Sequence, residues 1–264
     1  MPVLFLGHGN PMNAIQKNPF THMLKELGVN IPTPRLILCI SAHWMTQSTW
    51  LTHMPKPKTI HDFSGFPQEL FNVEYPAPGS PHDAEKIQSL ITEASRGSEI
   101  RNLSLQLDDH HWGLDHGTWS LLVHMYPQAT IPVIQLSLDL SKPPEFHYQL
   151  GQHLSVLREQ GVLIIGSGNI VHNLRMIKWE ENAEPYDWAI EFDQWVKEKI
   201  LKRDDLSLIS DATSSKSGQL SIPTPDHWYP LLYALGASRK TDEIHFDYEA
   251  IDHGSIAMRC VRWK

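Results

Sequence analysis

Sixteen of the 264 residues are histidine, and five of them stand where an α/β fold would present side chains for reaction. His8 lies in Leu6-Gly7-His8-Gly9-Asn10, His43 in Ser41-Ala42-His43-Trp44, and His172 in Gly166-Ser167-Gly168-Asn169-Ile170-Val171-His172. Each follows an apolar run, the carboxyl end of a strand, where open α/β sheets bind ligands. His116, in Trp112-Gly113-Leu114-Asp115-His116-Gly117, and His227, after Ile222-Pro223-Thr224-Pro225, each stand at the start of a helical pattern. Imidazole is the commonest metal ligand, and several convergent histidines suit Zn, Fe, Cu or Ni better than Mg or Ca. The spacing matches neither a Cys-pair zinc motif nor His-Glu-x-x-His, so convergence in space must carry the metal reading. His53, His82, His124, His147 and His153 are expected on the surface.

The elements that would position these residues follow from periodicity. Short aliphatic runs predict strands at Val3–Leu6, Leu36–Ser41, Ile131–Leu136, Val162–Gly166, Ile244–Tyr248 and Ile256–Val261. Amphipathic segments predict helices at Phe20–Leu27, Asp83–Ser95, Thr118–Met125, Pro144–Glu159, Tyr186–Leu201 and Asp226–Leu235. Strands apolar on both faces imply burial on both sides. The expected fold class is α/β, a single domain with a central largely parallel or mixed sheet flanked by helices. Two long loops are expected. Residues 54–80 hold five prolines with Phe63, Phe66, Phe71 and Tyr75, which reads as an ordered pocket wall. Residues 207–225 read as a polar loop.

Composition narrows the function classes. Lys and Arg total 22 against 30 Asp and Glu, a net charge of −8 without like-charge blocks. That disfavours nucleic-acid and membrane-surface partners, which require clustered cations. Two cysteines, Cys39 and Cys260, make no disulfide framework, and Cys39 lies in an apolar run as a buried hydrophobe. The N-terminal segment lacks a basic stretch before its apolar residues and runs directly into Gly7-His8-Gly9. The expected location is therefore the cytoplasm, with no secretory leader and no membrane span.

Together, several segments bring a family into view. Gly7-His8-Gly9-Asn10-Pro11-Met12, Ser41-Ala42-His43-Trp44, His61-Asp62-Phe63-Ser64-Gly65-Phe66-Pro67 and Tyr75-Pro76-Ala77-Pro78-Gly79 occur in order. Trp112–Gly117, Ser167-Gly168-Asn169, Val171-His172-Asn173-Leu174-Arg175 and Pro223-Thr224-Pro225-Asp226-His227 follow. Over essentially its whole length, 1–264, the chain resembles the class III extradiol ring-cleaving dioxygenases, the superfamily of the protocatechuate 4,5-dioxygenase catalytic subunit. Within it the chain is similar to the 4,5-DOPA dioxygenase branch. The resemblance implies metal ligation by His8, His43 and His227, with His172 as acid–base group or further ligand. It also implies a second active-site histidine, His116, on the substrate side. His227 stands where the protocatechuate enzymes have glutamate, so the dication would lack a compensating carboxylate until a catecholate binds.

The activity this implies is opening of a catechol ring by dioxygen at one divalent metal. Iron(II) is expected for oxygenase turnover, and zinc(II) is a plausible bound metal because an all-histidine set accepts it well. His172 or His116 would take a proton from a catechol hydroxyl, a task suited to a base near neutrality. Arg175 could grip a substrate carboxylate or equally form a surface or structural salt bridge. His61, Asp62, Phe63 and Phe66 are candidates for substrate contact, while His61 and Asp62 could equally tie the loop to the body. The expected partners are a small DOPA-like catechol and O2. Two other readings use the same histidines: a zinc hydrolase activating water, and a metal-binding module without catalysis.

Overall fold

The computed structural model describes residues 1–97, 100, 103, 105–180 and 183–264. Its strands are β1 (Val3–Gly7), β2 (Leu36–Thr46), β3 (Trp50–Thr52), β4 (Gln106–Asp108), β5 (Val133–Asp139), β6 (Val162–Gly168), β7 (Ile244–Tyr248), β8 (Ile251–Asp252), β9 (Ile256–Ala257) and β10 (Cys260–Trp263). The helices are α1 (Pro19–Asn30), α2 (Gln68–Phe71), α3 (Pro81–Ser95), α4 (His116–Met125), α5 (Pro144–Leu154), α6 (Asp187–Lys202), α7 (Asp205–Ser210), α8 (Lys216–Ser221) and α9 (Tyr229–Ala237).

Eight strands form one mixed sheet in the order β4-β3-β5-β2-β6-β1-β10-β7. The four central strands, β5, β2, β6 and β1, run parallel, while β10 and β7 extend the sheet antiparallel. On the far side β3 meets β5 antiparallel and β4 runs parallel to β3. Alternation along each central strand feeds two cores. Val3, Phe5, Leu36, Leu38, Val162 and Ile164 face one side, where α3, α5, α6 and α9 pack. Leu4, Leu6, Ile37, Cys39, Leu163 and Ile165 face the other, covered by α1, α4 and the chain around Leu70 to Ala77. Burying each such side chain stabilises the fold by roughly 1.5–3 kcal/mol.

Local chemistry marks the helix starts. Asn18 caps α1 in a capping box with Thr21 and Pro19 follows; Ser80 and Asp115 cap α3 and α4. No helix among the described residues is long and apolar enough to cross a membrane.

Several expectations need correction. The 207–225 loop holds most of α7 and all of α8, short helices capped by Asp204 and Ser215. The strand expected at 256–261 is two, β9 and β10, separated by Met258 and Arg259; buried Arg259 pairs with Asp193 and Glu249. The helix from Pro144 tightens to a 3-10 helix after Leu154, and the 54–80 loop contains the single turn α2. His147 is wholly buried rather than on the surface: its ring stacks on Tyr229 and its Nδ1 meets the Tyr233 hydroxyl. His124 is also partly buried, its Nε2 on the Asn13 carbonyl.

Candidate metal centre

β1 ends at Gly7, and Gly9, at φ +61°, turns the chain so that His8 stays over the sheet end. His43 lies within β2, not beyond it. Regular pairing with β5 lapses between Ile40 and Met45, and His43 occupies this irregular stretch. His227 precedes α9 rather than opening it, and His116 is the first residue of α4. His172 lies four residues past β6, its N–H donating to the Ser221 carbonyl, where it bridges Ile256.

The segment Ser167-Gly168-Asn169 organises this end of the sheet. Ser167 donates its hydroxyl proton to the Gly117 carbonyl, so toward His8 it must accept, and His8 Nδ1, 2.9 Å away, carries the proton. A Cβ on Gly168 would stand 2.3 Å from the His227 carbonyl oxygen, so only glycine lets that backbone approach. Asn169 N–H donates to the same carbonyl, its side-chain oxygen accepts from Gly9 N–H, and its amide donates to Ala257. One strand end thus fixes His8 and His227 together.

His8, His43 and His227 each bring one ring nitrogen within 4.8 Å of the others. The Nε2 atoms of His8 and His43 stand 3.1 Å apart. With the His8 proton on Nδ1, its Nε2 presents a lone pair. His43 Nδ1 lies 3.3 Å from Asp62 Oδ2. In one neutral His43 tautomer two lone pairs collide at Nε2; in the other, a lone pair faces the carboxylate. A cation shared by the Nε2 atoms resolves the conflict. Two nitrogens on one tetrahedral metal at about 2.0–2.1 Å lie about 3.3 Å apart, close to the observed contact. His227 Nδ1 is buried with no hydrogen-bond partner among the described residues. The residues therefore fit a single divalent metal.

Burial keeps these rings neutral. His8 and His227 are 2% and 4% exposed. Burial, then the charge of neighbouring histidines, pushes His8, His43 and His227 well below the ordinary imidazole range, with Asp62 partly opposing this at His43. Burial also lowers His172 to about 4, against the pull of Asp226. Neutral imidazole is the form a metal binds.

His172 stacks on His227 with centroids 3.4 Å apart and planes 13° from parallel. In-plane lone pairs of nearly parallel rings do not converge on one point, so His172 stands beside the trio; its nearest ligand-type grouping is with Asp226 and His227. His116 packs on His43 with centroids 3.9 Å apart. Asp62 orients His116: Oδ2 meets Nδ1 at 2.9 Å and Oδ1 accepts the backbone N–H at 2.9 Å. Asp115 is buried beneath, holding Ser41, Gln135 and the α4 start. Burial and the Asp62 charge raise its pKa.

The aromatic loop is fastened, not loose. His61 Nε2 meets the Val73 carbonyl at 3.0 Å, and Trp119 donates to the Ile60 carbonyl. Phe63 lies edge-on to His116 at 5.6 Å and Phe66 packs on Phe63 at 5.3 Å. Thus Phe63 touches the cluster, Phe66 stands one ring further out, and His61 faces Phe63, Phe71 and Trp119. Arg175 is exposed in a 3-10 turn, and no carboxylate among the described residues pairs with it. Ser167, Asn169 and the orienting role of Asp62 were not anticipated. The glycines flanking Ser167 were the available signal for the first two.

The family described as the catalytic LigB subunit of aromatic ring-opening dioxygenase matches residues 2–257. A 4,5-DOPA dioxygenase extradiol of Escherichia coli (strain K12) is 42% identical over 99% of this chain and 94% of its own length. The 4,5-DOPA dioxygenase extradiol of Mirabilis jalapa is 36% identical over 93% of this chain and 91% of its own. The crystal structure of an uncharacterized protein from Escherichia coli K12 superposes with a TM-score of 0.84 at 38% identity, covering 99% of both chains. With its sheet end, its histidine trio and these relatives in agreement, the chain belongs to the aromatic ring-opening dioxygenase family of the LigB catalytic subunit.

Proposed function

We propose that this chain is a 4,5-DOPA extradiol dioxygenase, opening a DOPA-like catechol with O2 at one metal held by His8, His43 and His227. The observation that carries this reading is the convergence of three buried or half-buried imidazoles, two with Nε2 atoms 3.1 Å apart. Iron(II) is the metal the reaction calls for, because held by these residues it would supply the redox activation of dioxygen, which redox-inert zinc would not.

The side chains supply binding and proton transfer. His116 keeps its Nδ1 proton on Asp62, which leaves Nε2 as the base for a catechol hydroxyl. His172, beside the trio and neutral, serves as the second acid–base group. Phe63 and Phe66 form the apolar wall against the ring, as pockets that exclude water do. His61 holds that wall in place. Arg175, exposed and without a carboxylate partner among the described residues, meets the carboxylate of an amino-acid substrate.

Anaerobic reconstitution with iron(II), followed by a catechol panel at an oxygen electrode, tests the proposal. Oxygen uptake with DOPA by iron-loaded but not zinc-loaded protein is expected. Turnover without oxygen would favour a zinc hydrolase, and metal binding without turnover a non-catalytic module.

A further inference from the structure

Asp62 faces both His116 and His43, while Asp226 lies on the opposite flank, 3.6 Å from His227 Nε2. Oδ1 accepts the His116 backbone N–H at 2.9 Å, and Oδ2 stands 2.9 Å from His116 Nδ1 and 3.3 Å from His43 Nδ1. It comes from the aromatic loop, next to Phe63, whose ring lies against His116. A carboxylate only accepts, so Asp62 dictates where His116 carries its proton, while toward His43 it acts as a nearby negative charge. We infer that Asp62 is a positioning residue with two tasks: it fixes His116 in the tautomer with Nε2 unprotonated, and, through His43, it lends an all-histidine metal trio the negative charge its ligands lack. This rests on the proposed function above.

The second task follows from charge. Three neutral imidazoles leave a dication uncompensated, and a carboxylate behind a ligating histidine raises that ligand's basicity. The charge deficit expected from His227 is thereby reduced before substrate arrives. The first task follows from geometry. With Nδ1–H on Asp62, the only lone pair His116 can offer is on Nε2. Asp62→Asn reverses this: if the amide oxygen keeps the backbone N–H, the amide NH2 faces Nδ1 and drives the proton to Nε2. In serine proteases the same exchange behind the catalytic histidine inverts its tautomer and lowers turnover about 10⁴-fold.

The test is long-range proton–nitrogen NMR of the histidines in zinc-loaded protein, with His116 assigned from His116→Gln, beside zinc affinity by chelator competition. Wild type should show His116 protonated on Nδ1. Asp62→Asn should show it protonated on Nε2, with zinc affinity about 10–100-fold weaker. An unchanged His116 tautomer together with wild-type zinc affinity in Asp62→Asn would overturn the inference. Should that variant not fold, wild type alone decides, since His116 protonated on Nε2 there also overturns it. Failure of the metal assignment itself reads out separately, as wild-type protein that binds no zinc.

Discussion

Lowering the pH of chelator-treated protein from 7.5 to 5.5 is expected to cost a large share of its stability. Burial holds His8, His43, His227 and His172 neutral by keeping their pKa values below the ordinary imidazole value of 6.5, and it lowers His147 to about 3. Each takes up a proton only on unfolding, so its contribution is present above pH 6.5 and is lost as pH falls toward the folded value. At pH 5.5 each such histidine costs on the order of 1 kcal/mol relative to neutral pH, and the five together cost several. That is comparable with the ~5–15 kcal/mol that holds a domain together. His53, raised by its hydrogen bond to Asp109, works in the opposite sense but is solvent-screened. Urea midpoints at the two pH values measure the effect. His147→Phe, away from the centre, should remove about one fifth of it. A decline no larger than a single histidine's share would refute the picture of neutral, buried, convergent rings.

Three further outcomes follow from the site. Ser167→Ala strands the buried His8 Nδ1–H and should cost about 1–3 kcal/mol of stability in a denaturation assay. Chelator competition should show about 10–100-fold weaker metal binding in the same variant. His116→Ala should retain metal by elemental analysis while ring opening falls roughly 10²–10⁴-fold, the usual loss of acid–base help; wild-type turnover would remove His116 from the chemistry. Phe66→Ala should raise KM for DOPA with little change in melting temperature, whereas a large melting loss with unchanged kinetics would make Phe66 core.

How much was legible depends on where each residue's partners lie in the chain. The four parallel strands announce themselves as apolar runs, and His8 and His172 could be read as strand-end residues from the glycines beside them. β3 and β4, three residues each, owe their pairing to β5 and carry no periodicity of their own. His43 was misplaced by a few residues because β2 continues through polar Ser41 and Thr46 under tertiary pairing with β6 and β5. His147 looked like a surface residue of an amphipathic helix, but its partners Tyr229 and Tyr233 come from α9. The role of Asp62 was hidden for the same reason. Asp115 adjoins His116 in sequence, yet the carboxylate 54 residues away reaches its ring.

The central claim is that one metal is held jointly by His8, His43 and His227. Elemental analysis of iron-reconstituted, desalted wild type beside His8→Ala, His43→Ala and His227→Ala tests it most directly. About one metal per chain in wild type and a large loss in each folded variant is the predicted result, because affinity depends on all three deprotonated ligands held in place. Full occupancy in all three variants would contradict the account.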